Sequence, residues 1–333
     1  MAELVLILKD FFSVPATAGG ALLPRLPLLE TVCARAARAP LSGDWRGWMA
    51  AHCGGASALE STLAATVAAA WQVRLPEARA DAQYWLATPV HYFAGLDSVH
   101  LHPAGVLQLG AEEQALLVAD FARVFADSGW VLMNLGQREL LLSGPNIDAN
   151  GADPARFVGC DPTPGLPRGA AGGTLRRLGT EIEMWLHEHP LNQQRHSRGQ
   201  LPVSTLWFWG AQQPSVARAR VRAPLRVYGS DTYAGGLMRL QGRVLEPLPQ
   251  AFDATLIDPQ CHSVFILPTL QEDGLAQTLM RFERHWLTGA FAALRARRAT
   301  ALQLLVGART YRLRRLDLAR FWRTLTPWWE QLN

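Results

Sequence analysis

Between His187 and Gly210 the chain reads HEHPLNQQRHSRGQLPVSTLWFWG, and no other stretch gathers so many groups capable of chemistry. Asn192 offers an amide, Arg195 and Arg198 offer guanidiniums, and His187 and His189 offer imidazoles. A guanidinium presents a planar fork of N–H donors that matches phosphate or carboxylate oxygens, so an amide and an arginine on one polar loop can hold an anion. Asn192, Arg195, Arg198 and His189 are therefore the expected ligand-binding residues. The plainer alternative is that Asn192 caps a local turn and Arg195 pairs with a surface acid. His187 and His189, with Glu183 one turn earlier, also have the residue types of a two-histidine, one-carboxylate metal site, although an HxH at a helix end does not make three ligands converge. His91 reads as a hydrogen-bonded structural histidine, and His100 and His102 as a solvent-facing pair on one strand face.

These side chains need elements to position them. The stretch reads as the last turn of a helix, a polar Pro/Asn/Gly loop, and a buried strand from Val203 to Trp209 stopped by Gly210. Loops adjoining such strands are where α/β proteins place ligand-contacting groups. Leu4 to Leu8 is an apolar run of strand length, plausible as the centre of a parallel sheet. Helices are expected at Leu28–Arg38, Ser57–Val73, Glu112–Asp127 (with Leu116, Val118, Phe121 and Phe125 inward), Leu175–His187, near Gly236–Leu240 and at Ala276–Arg297. Short strands are expected within His91–Leu109, at Cys261–Leu267 and Leu302–Val306, and as a hairpin, Trp130–Leu135 and Glu139–Leu142, turning at Gly136-Gln137-Arg138. Residues 143–173, rich in Gly, Pro, Asp and Asn, read as a long loop or hinge, and the chain ends in an Arg- and Trp-rich helical tail. The alternation of apolar strands and helices predicts an α/β fold with a mainly parallel sheet flanked by helices.

Composition narrows the chemistry. With 333 residues, 49% hydrophobic and 18% charged, the chain can build a real core and about two domains. A net charge of +4 is mild for this length. Lys9 is the sole lysine, which excludes a GK[ST] phosphate loop and any Schiff-base lysine other than itself. Cys33, Cys53, Cys160 and Cys261 are widely spaced with no CxxC, as expected of free thiols in a reducing compartment. The N-terminal apolar run is too short for a membrane span and lacks a cleavage pattern, so a soluble cytoplasmic protein is expected, with no membrane partner.

The string HPxNxxRxxxGxxP, followed by an apolar strand and Trp-Gly, resembles a segment of the archaeal-type cofactor-independent phosphoglycerate mutases, and resembles still more the RpfE-type regulatory proteins of bacteria. Tyr84-Trp-Leu-Ala-Thr-Pro-Val-His91 is similar to a segment usually written WLxADPVHL, with Thr88 in place of the acid. Glu112–Leu117, the hairpin ending at Leu142, and Tyr228-Gly-Ser-Asp-Thr-Tyr-Ala-Gly-Gly-Leu-Met-Arg239 match in kind and order, over roughly residues 80–240. The resemblance implies the alkaline phosphatase superfamily fold, with a phosphatase-like core over 1–75 and 200–333. An inserted, smaller α+β domain would occupy 76–199, carrying the hairpin and the Pro/Gly-rich hinge.

The mutases need two divalent metals held by Asp and His, and a nucleophilic serine. Their DGxxD after the first strand has Lys9 in its first acidic slot here, with Asp10 one place late. Their PTDxxGHD is answered by Pro268-Thr-Leu270, and their GDHST by Gly307-Ala308-Arg309-Thr310. Lys9, Leu270, Ala308 and Arg309 thus stand at metal positions, and none of them can serve as a ligand. Ser57, Ser61 and Thr62 are nucleophile candidates by position only. The resemblance then implies a non-catalytic regulatory or binding protein, without cofactor, whose partner is a protein or a small phosphorylated anion. The alternative is an active mutase-like or phosphohydrolase enzyme using Asp10, Asp231, Asp258 and His262 instead, although Asp258 and His262 precede their strand. A third reading makes Arg295, Arg297, Arg298, Arg309, Arg312, Arg314, Arg315, Arg320 and Arg323, with Trp322, Trp328 and Trp329, a nucleic-acid surface; a protein-contacting surface, or a solvated face with its tryptophans on the core, are the other possibilities.

Overall fold

The computed structural model describes residues 3–9, 11, 23–41, 43–53, 61–71, 82–95, 98–135, 139–212, 224–268 and 275–332. Among them run eleven strands in chain order: β1 (Leu4–Leu8), β2 (Ala37–Pro40), β3 (Gln83–Ala94), β4 (Val99–Val106), β5 (Val131–Asn134), β6 (Leu140–Gly144), β7 (Thr205–Trp209), β8 (Leu225–Tyr228), β9 (His262–Leu267), β10 (Ala301–Val306) and β11 (Arg309–Arg314). The chain divides into two compact units, Met1–Leu59 with Pro214–Asn333, and Glu60–Gln213.

The first unit is an α/β layer with a central sheet ordered β2-β11-β10-β1-β9-β8. The strands β10, β1, β9 and β8 are mutually parallel, while β11 and β2 add antiparallel edges, so the sheet is mainly parallel as the strand–helix alternation predicts. Every residue of β1 is buried, as a central strand covered on both faces requires. Leu4, Leu6 and Leu8 share one core with Leu29 and Val32 of the helix Pro27–Arg35, Phe291 of the helix Thr288–Arg295, and Trp328. The expected long helix after β9 is two α-helical segments, Leu275–Phe282 and Thr288–Arg295, joined by a π turn at Glu283–Leu287. Within that turn Glu283 Oε2 accepts from Leu29 N at 3.1 Å. The chain end is not the helical tail anticipated from its composition. It is β11, a 3-10 turn at Arg315–Ala319 and one short helix at Trp328–Gln331, because β10 turns back through Gly307 and Ala308 into a hairpin. Gly307 makes that turn with φ +56°, a conformation that favours glycine.

The second unit is antiparallel, ordered β4-β3-β6-β5, with β7 also paired to β3. The expected hairpin is present as β5 and β6 (Val131↔Ser143, Asn134↔Leu140), and its tip lies outside the described residues. Trp85, Leu142 and Phe208 pack with Leu117 and Phe121 of the helix Ala111–Val124 and with Leu178 and Ile182 of the helix Gly172–His187. The inward register of the first of these helices is Gln114, Leu117 and Phe121, with Leu116 and Val118 only partly covered.

The observed division differs from the expected one at both crossings. The strand β7 pairs antiparallel to β3 (Leu86↔Trp209, Val90↔Thr205), so residues 200–213 belong with the antiparallel unit, as does the helix Leu63–Ala70. A wholly apolar strand reads the same whether its neighbours run parallel or antiparallel, and only the pairing reveals which sheet it joins. Residues 143–173 are not a hinge either, since they fold back within this unit: Asn150 and Arg168 exchange backbone hydrogen bonds, and Ala152 N donates to Gly165 O. Gly151 is squeezed against β7, where an added Cβ would stand 2.3 Å from Phe208 O. Gly151→Ala should therefore lower stability by about 1–3 kcal/mol, read as a reduced denaturant midpoint, because a strand carbonyl cannot move aside.

Candidate functional site

The polar loop expected after His187 is a helix, Pro190–Ser197. Pro190 occupies its first turn, and His189 caps it, Nδ1 accepting from Leu191 N at 3.1 Å. Asn192 is buried and all its polar capacity is engaged: Nδ2 donates to Leu186 O (2.7 Å) and Val203 O (2.9 Å), and Oδ1 accepts from Val203 N (2.7 Å). It stitches the end of one helix to the start of the segment leading into β7. Arg195, also buried, donates Nε to Leu201 O (2.7 Å) and Nη1 to both oxygens of Glu113 (2.9 and 3.0 Å). Glu113 in turn accepts from Gly110 N at the start of the helix Ala111–Val124. The arginine charge is already neutralised at close range, so an incoming anion would have to displace Glu113. Arg195 thus pairs with an acid, though a largely covered one, and Asn192 joins two segments rather than capping a local turn. Arg198 is exposed at the C-cap.

His189 Nε2 lies 3.2 Å from Asp120 Oδ2 without hydrogen-bond geometry, and its ring stands edge-on to Trp185. Burial pulls its pKa below the ordinary histidine value, and the neighbouring Asp120 opposes that only in part. A buried cap cannot converge with the exposed His187 and Glu183 on one ion. Among the described residues no three His, Cys, Asp or Glu side chains gather to hold a metal. His91 is indeed hydrogen-bonded, Nδ1 lying 3.1 Å from Ser204 Oγ. His100 and His102 are not a solvent-facing pair but half-covered members of a ring ladder. His102 lies 5.4 Å from His91 and 5.7 Å from Phe93, and Phe93 lies 5.5 Å from His100.

In the first unit the C-terminal edge of the parallel strands carries a compact charged cluster. Lys9 follows β1, and its Nζ lies 3.0 Å from Oδ2 of Asp231, which follows β8 and has a side chain only 2% exposed. Asp231 Oδ1 accepts from Tyr233 N (3.0 Å) and Ala234 N (3.1 Å), capping the helix Thr232–Leu240. Nearby, Asp44 Oδ1 accepts from Arg46 N and Gly47 N at the start of the helix Trp45–Cys53. Its Oδ2 lies 3.4 Å from Arg46 Nη1, and that guanidinium lies over the Trp45 ring. Burial alone would push the Asp231 carboxyl up, but the Lys9 ammonium, the Arg46 guanidinium and the helix N–H groups together hold it below the usual carboxylate range.

Among the described residues, the members of the substitute metal set do not come together. His262 opens β9, its Nδ1 accepting from Glu3 N, and Asp258 precedes it. The register pairs Tyr228 with Phe265, so His262 is three strand residues, roughly 10 Å, behind the end of β8 beyond which Asp231 lies. Asp10, Leu270 and Ser57 lie outside the described residues. Thr62 caps the helix Leu63–Ala70 through Ala65 N, with Ser61 just before it. Ala308 is a hairpin residue, and Arg309 Nη1 donates to Gln331 O.

The arginines at the chain end mostly serve the protein. Arg320 donates to Arg35 O (2.8 Å), Arg323 to Ala34 O (2.9 Å) and Arg38 to Cys33 O (3.0 Å), so three guanidiniums close the C-terminal carbonyls of the helix Pro27–Arg35. Arg312 pairs with Glu3, and Trp328 is fully buried, donating to Pro24 O.

No family model matches the chain, and no curated protein matches it. Among solved structures, the chain is similar to a cofactor-independent phosphoglycerate mutase from Thermoplasma acidophilum at 13% identity, with 94% of this chain and 89% of that one covered and a TM-score of 0.38. It is also similar to the PH0037 protein from Pyrococcus horikoshii at 11% identity, with 94% and 87% covered and a TM-score of 0.45.

Two outcomes follow from the geometry. Asn192→Ala takes from Val203 N and Val203 O the partner they have in the amide and should cost about 2–3 kcal/mol in denaturant unfolding; an unchanged midpoint would mean the amide is not structural. Asp231 has the opposite sort of sensitivity. A carboxylate depressed in the folded state adds stability above its unfolded pKa, about 3.9, and loses it as the pH falls through the folded one. Lys9→Met should cost about 3 kcal/mol at neutral pH. It should also weaken the dependence on acid, because the closest charge that holds the Asp231 carboxyl down is gone while Arg46 and the helix N–H groups remain. Unfolding curves across pH read this, and a variant with the parent's pH profile would refute it.

Proposed function

We propose that the chain is a non-catalytic binding protein on a phosphoglycerate-mutase-like α/β frame, with a regulatory role of the kind its resemblance to the RpfE-type proteins implies. The observation that carries the reading is the Lys9–Asp231 pair. Lys9 stands where the resemblance puts the first metal-binding aspartate, and its ammonium would repel a divalent ion brought to that strand end. Asp231, a candidate ligand at the same edge, already has one oxygen on Lys9 and the other on two helix N–H groups. Without two metals to polarise a phosphoryl group, Ser61 and Thr62 are ordinary hydroxyls.

The other readings find less support. An active enzyme built on Asp231, Asp258 and His262 would need groups at opposite ends of the strands to share one ion. A nucleic-acid surface at the chain end would lose two of its arginines, Arg320 and Arg323, which here close a helix terminus. A partner for the binding protein is either another protein or a small phosphorylated anion.

The reading is tested on full-length protein purified without chelator, offered Mn²⁺ and Zn²⁺, and then analysed for metal and for 2- and 3-phosphoglycerate interconversion. No retained ions and no turnover is the expected result. Two ions held per chain after desalting, or turnover above the buffer rate, would overturn it.

A further inference from the structure

One short segment of the first unit leaves large apolar side chains in solvent. Of the nine such side chains exposed among the described residues, three fall within one stretch of seven: Leu316 is 85% exposed, Phe321 81% and Trp322 68%. Apolar residues exposed singly are ordinary, whereas a concentration of them marks a contact surface. The Phe321 and Trp322 rings meet edge to face, with centroids 5.5 Å apart.

The backbone that carries them is tied down. Arg35 Nη1 donates to Leu318 O (2.6 Å), Arg320 Nη1 to Arg35 O (2.8 Å) and Arg323 Nη1 to Ala34 O (2.9 Å). Asp317 is buried, one oxygen accepting from Arg314 N at 2.8 Å and the other lying 2.8 Å from Arg320 Nη2. Leu318 packs on the core. The polar groups of the segment and one of its leucines are thus spent on the fold, while Leu316, Phe321 and Trp322 are held out of it.

Charge selects what meets them. Residues 309–323 contain six arginines and one acid, Asp317. Asp317 pairs with Arg320 and Glu3 with Arg312, but Arg314 and Arg315 are exposed and have no acid partner among the described residues. A folded protein would need a hole shaped for each projecting side chain. A lipid interface needs none: it yields, it takes aromatic rings at the level of the headgroups, and anionic headgroups attract arginines beside them. A base-stacking surface would use the two rings and leave the aliphatic Leu316, the most exposed of the three, without a role.

We infer that the segment Arg314–Arg323 is a peripheral membrane contact. Leu316, Phe321 and Trp322 enter the interface of a bilayer containing anionic lipid, and Arg314 and Arg315 meet its headgroups. The expectation of no membrane partner rested on the lack of a spanning segment, and among the described residues no helix is long and apolar enough to cross a membrane; this contact needs none. It goes beyond the binding-protein reading and does not depend on it, since metal content and turnover test that reading and vesicle binding tests this one.

The test is sedimentation of the full chain with vesicles of phosphatidylcholine alone and of phosphatidylcholine mixed with phosphatidylglycerol. Saturable binding to the mixed vesicles, weakening as salt rises and far weaker to phosphatidylcholine, is expected. Phe321→Ser combined with Trp322→Ser should lower partitioning about tenfold or more at an unchanged unfolding midpoint, because these side chains touch little of the protein. Arg314→Gln and Arg315→Gln should each lower it about fivefold and flatten the salt dependence, which keeps the test independent of the aromatic pair. Trp322→Phe should bind nearly as well as the parent but lose most of the fluorescence quenching produced by lipids brominated in their acyl chains. The inference is overturned by no binding to the mixed vesicles, by equal binding to both kinds, or by binding that the aromatic and arginine variants leave intact. Tighter binding to a single-stranded oligonucleotide than to the mixed vesicles, at the same salt, would also overturn it and assign the surface to nucleic acid.

Discussion

Asp231 carries a full charge where water scarcely reaches, and the C-terminal edge of the parallel sheet is organised around that fact. An isolated buried carboxylate would be untenable, so the protein must neutralise it by a metal, a proton or a cation. Here the cation is the only lysine in the chain, delivered by the residue after the central strand β1. Because β1 and β8 run parallel with β9 between them, their ends lie at one edge, and a lysine after the first can reach an aspartate after the other. The same aspartate then caps a helix, so one pair fixes the strand end, the helix start and the local potential together.

Much of this was legible in the residues. The runs Leu4–Leu8, Cys261–Leu267 and Leu302–Val306 announce buried parallel strands, because a strand covered on both faces has no polar side to alternate. Lys9 could be flagged from its place after the first of them. Its partner could not, since Asp231 is 222 residues away and the pairing depends on the order of strands in the sheet. Arg195 and Glu113, 82 residues apart, were equally invisible as a pair. The helix Pro190–Ser197 did leave a signal in Pro190, which suits a first helical turn, but the density of Asn, Gln and Arg behind it reads as loop. For β7 no local signal of its sheet existed: Thr205–Trp209 is buried throughout, and its antiparallel partner β3 is chosen by tertiary packing.

The arginine-rich chain end teaches a related lesson about charge. Guanidiniums concentrated near aromatics resemble a nucleic-acid surface in composition, yet a helix C-terminus exposes carbonyls that need donors just as a phosphate does. Arg38, Arg320 and Arg323 meet the end of the helix Pro27–Arg35, one from the segment just after it and two from far along the chain. Composition counts donors; only the fold says which acceptors they find.

What separates a structural polar residue from a binding one is therefore not its type or its motif but whether its hydrogen-bonding capacity is filled from within. Asn192 and Arg195 fail that criterion, their amide and guanidinium already engaged by Leu186, Val203, Leu201 and Glu113. Among the described residues, the Tyr233 hydroxyl and Trp45 Nε1 are buried without such a partner, although neither residue stands out in the sequence, where an aromatic at helical spacing reads as core.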